Sequence, residues 1–253
     1  MCTVVLGVKG DGRFWIAANR DESLVRPATG PRRWPNEAFV APRDEVGGGT
    51  WLGLNEKGLF VGVTNRFGAD KDEKRESRGH LVVEALRAPS AAVLHATLAG
   101  LPPLRFNAFH LVYTDGDGCF VTWSDGKAIQ QESLGPGLHL VTERSYGAVP
   151  MLRTAGALHR EPERVRFMRA RLEELGPAPE PEALQKLLGT HRPEAPLDSP
   201  CVHLPDFGYG TRSSLVLLKA PVLEDAEWRW AEGPPDRTPF VVQRFGALLR
   251  PGA

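Results

Sequence analysis

The 253 residues are 42% apolar and 25% charged, ordinary values for a globular chain with ample material for a core. Lysine plus arginine (31) balances aspartate plus glutamate (31), which removes the overall positive charge that would favour nucleic acid or an anionic membrane. The opening apolar run, Thr3 to Val8, is followed at once by Lys9, Asp11 and Arg13, so no leader segment is expected. No stretch approaches the roughly 18 apolar residues of a spanning helix. The three cysteines, Cys2, Cys119 and Cys201, fit neither a disulfide framework nor a zinc-site spacing. A reducing cytoplasm is the expected compartment.

Hairpins fill the first two-thirds of the chain. Thr3–Val8 and Phe14–Ala18 pair across the turn residues Lys9–Gly12. The stretch from Arg26 to Val46 has five prolines or glycines and no periodicity, and reads as a long loop over a functional face. Trp51–Leu54 and Leu59–Thr64 form a second hairpin around Asn55-Glu56-Lys57-Gly58. Residues 79–99 predict a helix to Arg87, a break at Pro89, and a restart with Ser90 as N-cap. His110–Thr114, Cys119–Ser124, Ala128–Gln131 and His139–Thr142 predict a four-stranded meander. Residues 161–175 place Val165, Met168, Leu172 and Leu175 on one helical stripe, with the arginines and glutamates on a solvated face. Glu182–Leu188 adds a short helix, a proline-rich loop runs from Pro193 to Pro205, and Ser213–Lys219, Glu227–Trp230 and Phe240–Arg244 return to strand. Two blocks of strands around a central helical block suggest an α+β sandwich of two sheets covered by helices.

The chemistry concentrates at the first hairpin. A small residue after Met1 permits removal of the initiator, which would leave Cys2 with a free α-amine. A free α-amine titrates near 7.7–8.0 and a thiol near about 8.5, so one residue would carry both nucleophile and base. Asn19-Arg20-Asp21-Glu22 closes the second strand, and antiparallel pairing returns it toward residue 2. A guanidinium there favours a thiolate, and a carboxylate orients an amine.

Met1-Cys2-Thr3, Ala18-Asn19-Arg20-Asp21-Glu22, Gly48-Gly49-Thr50-Trp51-Leu52-Gly53 and Gly208-Tyr209-Gly210-Thr211-Arg212-Ser213-Ser214 together resemble the NRDE family, which includes the transport-and-Golgi-organisation proteins. The same positions are similar to those of Cys-type Ntn hydrolases of the penicillin V acylase and conjugated bile acid hydrolase kind. The resemblance implies one domain over residues 1–253 and a four-layer αββα sandwich of two mainly antiparallel sheets. It implies Cys2 as nucleophile with its amine as base, Asp21 holding that amine, Arg20 supporting the thiolate, Asn65 at an oxyanion, and Arg212 steadying the site. Asn19, Trp51 and Glu143 are expected at the substrate pocket. Glu143 is a departure, because these families commonly carry an Asn there and an ionised carboxylate opposes an oxyanion.

Two functions follow as expectations. One is hydrolysis or acyl transfer on a small amide or thioester through an acyl-Cys2 intermediate, with no cofactor. The other, implied by the family, is haem binding and trafficking, with haem as a ligand. Outside this constellation, Gly47-Gly48-Gly49 has no following Lys-Ser/Thr and reads as a close-approach loop rather than a phosphate site. Cys201-Val202-His203 has the Cys-x-His pattern of a metal ligand pair, but no further ligand is spaced to join it, so a structural role is expected and no metal.

Overall fold

The computed structural model describes residues 2–146 and 162–250. Met1, on whose removal the amine base depends, and residue 161 of the expected third helix lie outside the described residues.

The chain opens with β1 (Cys2–Val8) and β2 (Phe14–Ser23), an antiparallel hairpin whose register sets Cys2 opposite Arg20 and Thr3 opposite Asn19. Next come β3 (Ala28–Arg33), β4 (Phe39–Asp44), β5 (Leu52–Asn55) and β6 (Phe60–Asn65), then helices α1 (Arg78–Ala85) and α2 (Ala91–Leu98). Strands β7 (Phe109–Thr114), β8 (Cys119–Ser124), β9 (Ile129–Leu134) and β10 (Gly137–Thr142) follow. Helices α3 (Glu163–Leu175) and α4 (Pro181–Leu188) precede β11 (His203–Leu204), β12 (Tyr209–Lys219), β13 (Glu227–Ala231), β14 (Val241–Arg244) and the terminal turn of helix α5 (Phe245–Leu248).

The described residues form two seven-stranded sheets. One runs β10-β1-β2-β12-β13-β14 with β11 added to β12, and the other runs β3 to β9 in chain order. Period-two alternation gives each sheet two apolar faces, so each needs two partners. Val4, Leu6, Ile16 and Leu215 of the first sheet meet Val40, Leu54, Phe60 and Val112 of the second in the central core. Val5, Trp15 and Ala17 pack outward on Met168, Leu172, Leu184 and Leu188 of α3 and α4. Val61, Leu111 and Tyr113 pack outward on Leu81, Val82, Leu94 and Leu98 of α1 and α2. The layers are therefore helix, sheet, sheet, helix, the αββα sandwich that the resemblance implies.

Ser90 caps α2 by accepting from the Val93 N–H, and Asn55 stabilises its turn by accepting from the Lys57 and Leu59 N–H groups. Two expectations fail. The stretch from Arg26 to Val46 is not a loop but contains the β3–β4 hairpin. Pro31 is tolerated because β3 is an edge strand and the residue falls in the register break between Thr29 and Arg32, and Pro42 of β4 stands opposite that same break, beyond the Phe39 and Val40 pairing with β5. The expected meander also ends one strand early. After β9 the chain crosses at Gly135-Pro136 to the other sheet, where β10 pairs with β1 and sets Thr142 against Thr3.

Candidate functional site

Alternation along β1 and β2 sorts the Asn-Arg-Asp-Glu motif by face. Even-numbered Val4, Ala18 and Ile16 point between the sheets, whereas Val5 and Ala17 face α3 and α4. Cys2 and Arg20 share the inter-sheet parity, and Thr3, Asn19 and Asp21 the helix parity. Cys2 and Arg20 thus meet at the open end of the sandwich, on the wall of a cavity of about 650 Å³. Asp21, Trp51 and Asn65 also line this cavity.

Arg20 is 4% exposed and held by two contacts. Its Nη2 donates to Asp44 Oδ2 at 2.7 Å, and its guanidinium carbon lies 4.0 Å over the centre of the Trp51 ring. Its Nη1 is buried with no hydrogen-bond partner. Asp44 also accepts from Arg26 Nε at 2.7 Å and, at Oδ1, from the N–H groups of Val46 and Gly47. Desolvation would raise this carboxyl, but the bonds from Arg26 and Gly47 outweigh it and hold the pKa below the usual carboxylate value. The pair fixes Arg20 rigidly against the cavity. Glycines shape the adjoining wall. A Cβ on Gly49 would come within 2.4 Å of the Gly79 backbone, so the strand-connecting loop can approach the start of α1 only without a side chain.

The Cys2 thiol is surrounded by protein on most sides although part of its residue faces the cavity. This desolvation raises its pKa, the Asp21 charge raises it further, and the Arg20 charge acts in the opposite direction. A thiol so placed is neutral near pH 7 and needs a base before it can attack. Arg78 also lines the cavity, donates from Nη1 to the Ala108 carbonyl, and adds a cation that interacts with Cys2.

The Asp21 carboxylate is fully buried. Its Oδ1 accepts from Thr211 Oγ1 at 2.7 Å, and its Oδ2 from Arg164 Nη1 at 3.2 Å. Arg164 is itself 3% exposed, also reaches Thr3 Oγ1, and donates from Nη2 to the Leu197 carbonyl. The expected solvated face of α3 is therefore corrected at Arg164, which points inward. Sequence reasoning missed it, although a signal exists: Arg164 stands four residues before Met168 and eight before Leu172, on their buried stripe. Asp44 was missed because its strand was read as loop, and Thr211 carried no signal of its own.

Three expected site residues stand off the cavity. Asn19 is buried on the helix side, where Nδ2 donates to the Leu188 and Pro200 carbonyls and Oδ1 accepts from Ser214 Oγ. Its placement at a substrate pocket is corrected, because one step along a strand reverses the side chain. Glu143 is 6% exposed and does not line the cavity; its carbonyl accepts from the Phe67 N–H, and its Oε2 is buried without a partner. Arg212 sits at the β12 register break between Thr211 and Ser213, and among the described residues its hydrogen bond toward the site is a weak one from Nη2 to the Arg26 carbonyl at 3.4 Å. Asn65 ends β6, is exposed, and makes no side-chain hydrogen bond among the described residues.

The fold has counterparts among known proteins. A conjugated bile acid hydrolase variant from Clostridium perfringens superposes with a TM-score of 0.60 at 11% identity, covering 97% of this chain and 93% of that one. Penicillin V acylase from Agrobacterium tumefaciens gives 0.55 at 13% identity, covering 100% and 89%. At these identities the likeness establishes the fold as Ntn-hydrolase-like. Transport and Golgi organization protein 2 homologs from Bos taurus and Homo sapiens are each 31% identical over 107 residues, 41% of this chain and 39% of theirs. The match thus spans well under half of those relatives. The family model described as Transport and Golgi organisation 2 matches residues 1–222, and so takes in both strands of the Cys2 hairpin, the cavity walls and the Thr211 support of Asp21. The chain belongs to the Transport and Golgi organisation 2 family.

Proposed function

We propose that the chain is a cysteine acyl hydrolase or acyl transferase that opens a small amide or thioester through an acyl-Cys2 intermediate. The observation that carries this reading is the placement of Cys2 directly opposite a rigidly held Arg20, on the wall of a cavity large enough for a small ligand. Removal of Met1 would turn the Cys2 nitrogen into a free amine, the base that the neutral thiol lacks. Sγ then attacks the carbonyl carbon while its proton passes to this amine. The leaving amine or thiol takes that proton as its bond to the carbonyl carbon breaks, and water or an acceptor nucleophile releases the acyl group. Arg20 favours the thiolate, and Asp21 orients the amine from the helix side. Asn65, with its amide free, donates to the oxyanion. Glu143 does not oppose this charge directly, since its carboxylate stands off the cavity.

Intact mass before and after a small thiol-directed electrophile tests the reading. Loss of Met1 and single labelling faster than that of a free cysteine peptide, abolished by Cys2→Ala, are the expected results. Cys119 and Cys201 are buried and their thiols are pushed up to about 12 by that burial, so neither competes. Retained Met1, or a Cys2 slower than the free peptide, would sink the proposal. Haem carriage is checked on the same sample. Arg20, Arg26, Arg75 and Arg78 suit propionates and Cys2 is a lining side chain able to ligate iron, but among the described residues Trp51 and Val63 are the large apolar side chains of the wall, too few to cover a porphyrin face. The haem fit is therefore poor, and a stoichiometric haem absorbance band on titration would reverse the order of the two readings.

A further inference from the structure

On the helix side of the first sheet, away from the cavity, three potential metal ligands converge. Cys201 Sγ lies 3.6 Å from His203 Nε2 and 3.3 Å from Asp236 Oδ1, and His203 Nε2 lies 2.9 Å from Asp236 Oδ2. Cys201 and His203 come from the segment entering β11, and Asp236 from the loop between β13 and β14, 33 residues further on. That distance is why the sequence showed only a Cys-x-His pair without a third ligand.

The arrangement is not a nucleophile relay. In a relay the thiol and the carboxylate engage opposite nitrogens of the imidazole. Here both approach the same Nε2, so all three groups point at one place. Bond lengths of about 2.0–2.3 Å at tetrahedral angles separate zinc ligands by about 3.3–3.6 Å. The Cys201–His203 separation falls in that range, while Asp236 approaches Sγ with one carboxylate oxygen and Nε2 with the other, so a small turn of its carboxylate sets a single oxygen on the ion. A thiolate, an imidazole and a carboxylate together suit zinc, whereas calcium and magnesium take oxygen ligands.

The surroundings fit a held ion. Cys201 is fully buried, and its backbone is pinned: its N–H donates to the Thr190 carbonyl and its own carbonyl accepts from His191 Nδ1. His203 and Asp236 keep 17% and 20% of their side chains exposed, which leaves a path for an ion and room for a water as fourth ligand. Asp236 has one further charged neighbour, Arg237 at 3.3 Å, whose exposed side chain can swing away.

We propose that Cys201, His203 and Asp236 form a zinc site that clamps the segment after α4 to the β13–β14 loop. The clamp stands directly behind the motif strand. Asn19 Nδ2 donates to the Pro200 carbonyl, and the Val202 N–H donates to Thr211 Oγ1, which in turn donates to Asp21. The proposal does not rest on the acyl-transfer reading.

The test is a titration of the full chain, first stripped with a chelator, with cobalt(II) and then zinc(II). One equivalent of cobalt with a sulfur-to-cobalt charge-transfer band, displaced by one equivalent of zinc, is expected. Loss of an outer partner alone weakens metal sites about 10–100-fold. His203→Gln and Asp236→Asn, both at partly exposed positions, are therefore each expected to weaken binding by more than about tenfold. Cys201→Ser is expected to abolish the band, and Cys2→Ala to keep it. A missing band in the unaltered chain, or a band that disappears in Cys2→Ala and persists in Asp236→Asn, overturns the proposal. The Asp236 variant keeps the test decisive should Cys201→Ser fail to fold.

Discussion

At the scale of single residues, the Asp21–Arg164 pair supports the site most directly. Both side chains are almost fully removed from water, so each charge depends on the other and on Thr211, Thr3 and the Leu197 carbonyl. Removing one partner of such a pair typically costs about 3–5 kcal/mol, because the survivor is left buried and charged. Arg164→Met is accordingly expected to lower unfolding free energy by that amount in a urea titration, and Asp21→Asn in the same background to restore much of it. His110 gives a second prediction. Its ring is buried between Thr64 Oγ1 and the Ser145 carbonyl, with Arg66 beside it, and burial followed by the Arg66 charge pushes its pKa down to about 3. The unfolded chain binds a proton near about 6.5 that the folded chain refuses. Stability from this group is therefore complete above about pH 6.5 and declines as pH falls toward 3, by up to about 1.4 kcal/mol per pH unit. Unfolding curves from pH 7 to 4 should show a shallower decline in His110→Gln.

At the scale of elements, the wall of the cavity depends on backbone contact between the loop after β4 and the start of α1. The Gly49 and Gly79 main chains touch, and the Thr50 N–H donates to the Gly79 carbonyl. Gly49→Ala inserts a methyl against backbone that has no rotamer to escape into. A loss of about 1–3 kcal/mol is expected. Because Gly49, Thr50 and Gly79 line the cavity, a change in the rate of Cys2 labelling should accompany it; unaltered stability and labelling would show that the contact is slack. Elements also mark where sequence reading succeeds. The β1–β2 hairpin, the β5–β6 hairpin, and the Ser90 cap were legible because each is set by residues within a few positions. The β3–β4 hairpin was not, since prolines suppress the strand pattern and only an edge position for Pro31 and a register break opposite Pro42 make them harmless. Strand β10 was recognised as a strand but assigned to the wrong sheet, because alternation reports which residues share a face and not which strand lies alongside.

At the scale of the whole molecule, the central core joins the two sheets along their length, and β10 passes from the end of one sheet to the edge of the other. The described residues are thus expected to unfold together. Far-ultraviolet dichroism and tryptophan fluorescence should trace coincident urea transitions, since Trp15 reports the helix-side core and Trp228 the inter-sheet core. Separate midpoints would divide the chain into independent units. No helix of the described residues is long and apolar enough to cross a membrane.

The sequence by itself determined that the Asn19-Arg20-Asp21-Glu22 end of the first hairpin returns toward Cys2, since its two apolar runs pair across one short turn; the structure set Arg20 directly opposite. It also determined the helix stripes, the layered α+β class and, through its motifs, the family. Only the tertiary structure decided that Arg164 reaches Asp21, that Asp44 holds Arg20, that Asn19 turns away from the cavity, and that Asp236 joins Cys201 and His203. Most of these contacts join groups from about 20 to more than 140 positions apart. Periodicity tells which side of a strand or helix is buried. What is buried against it depends on how the layers stack, and a local pattern holds no information about that.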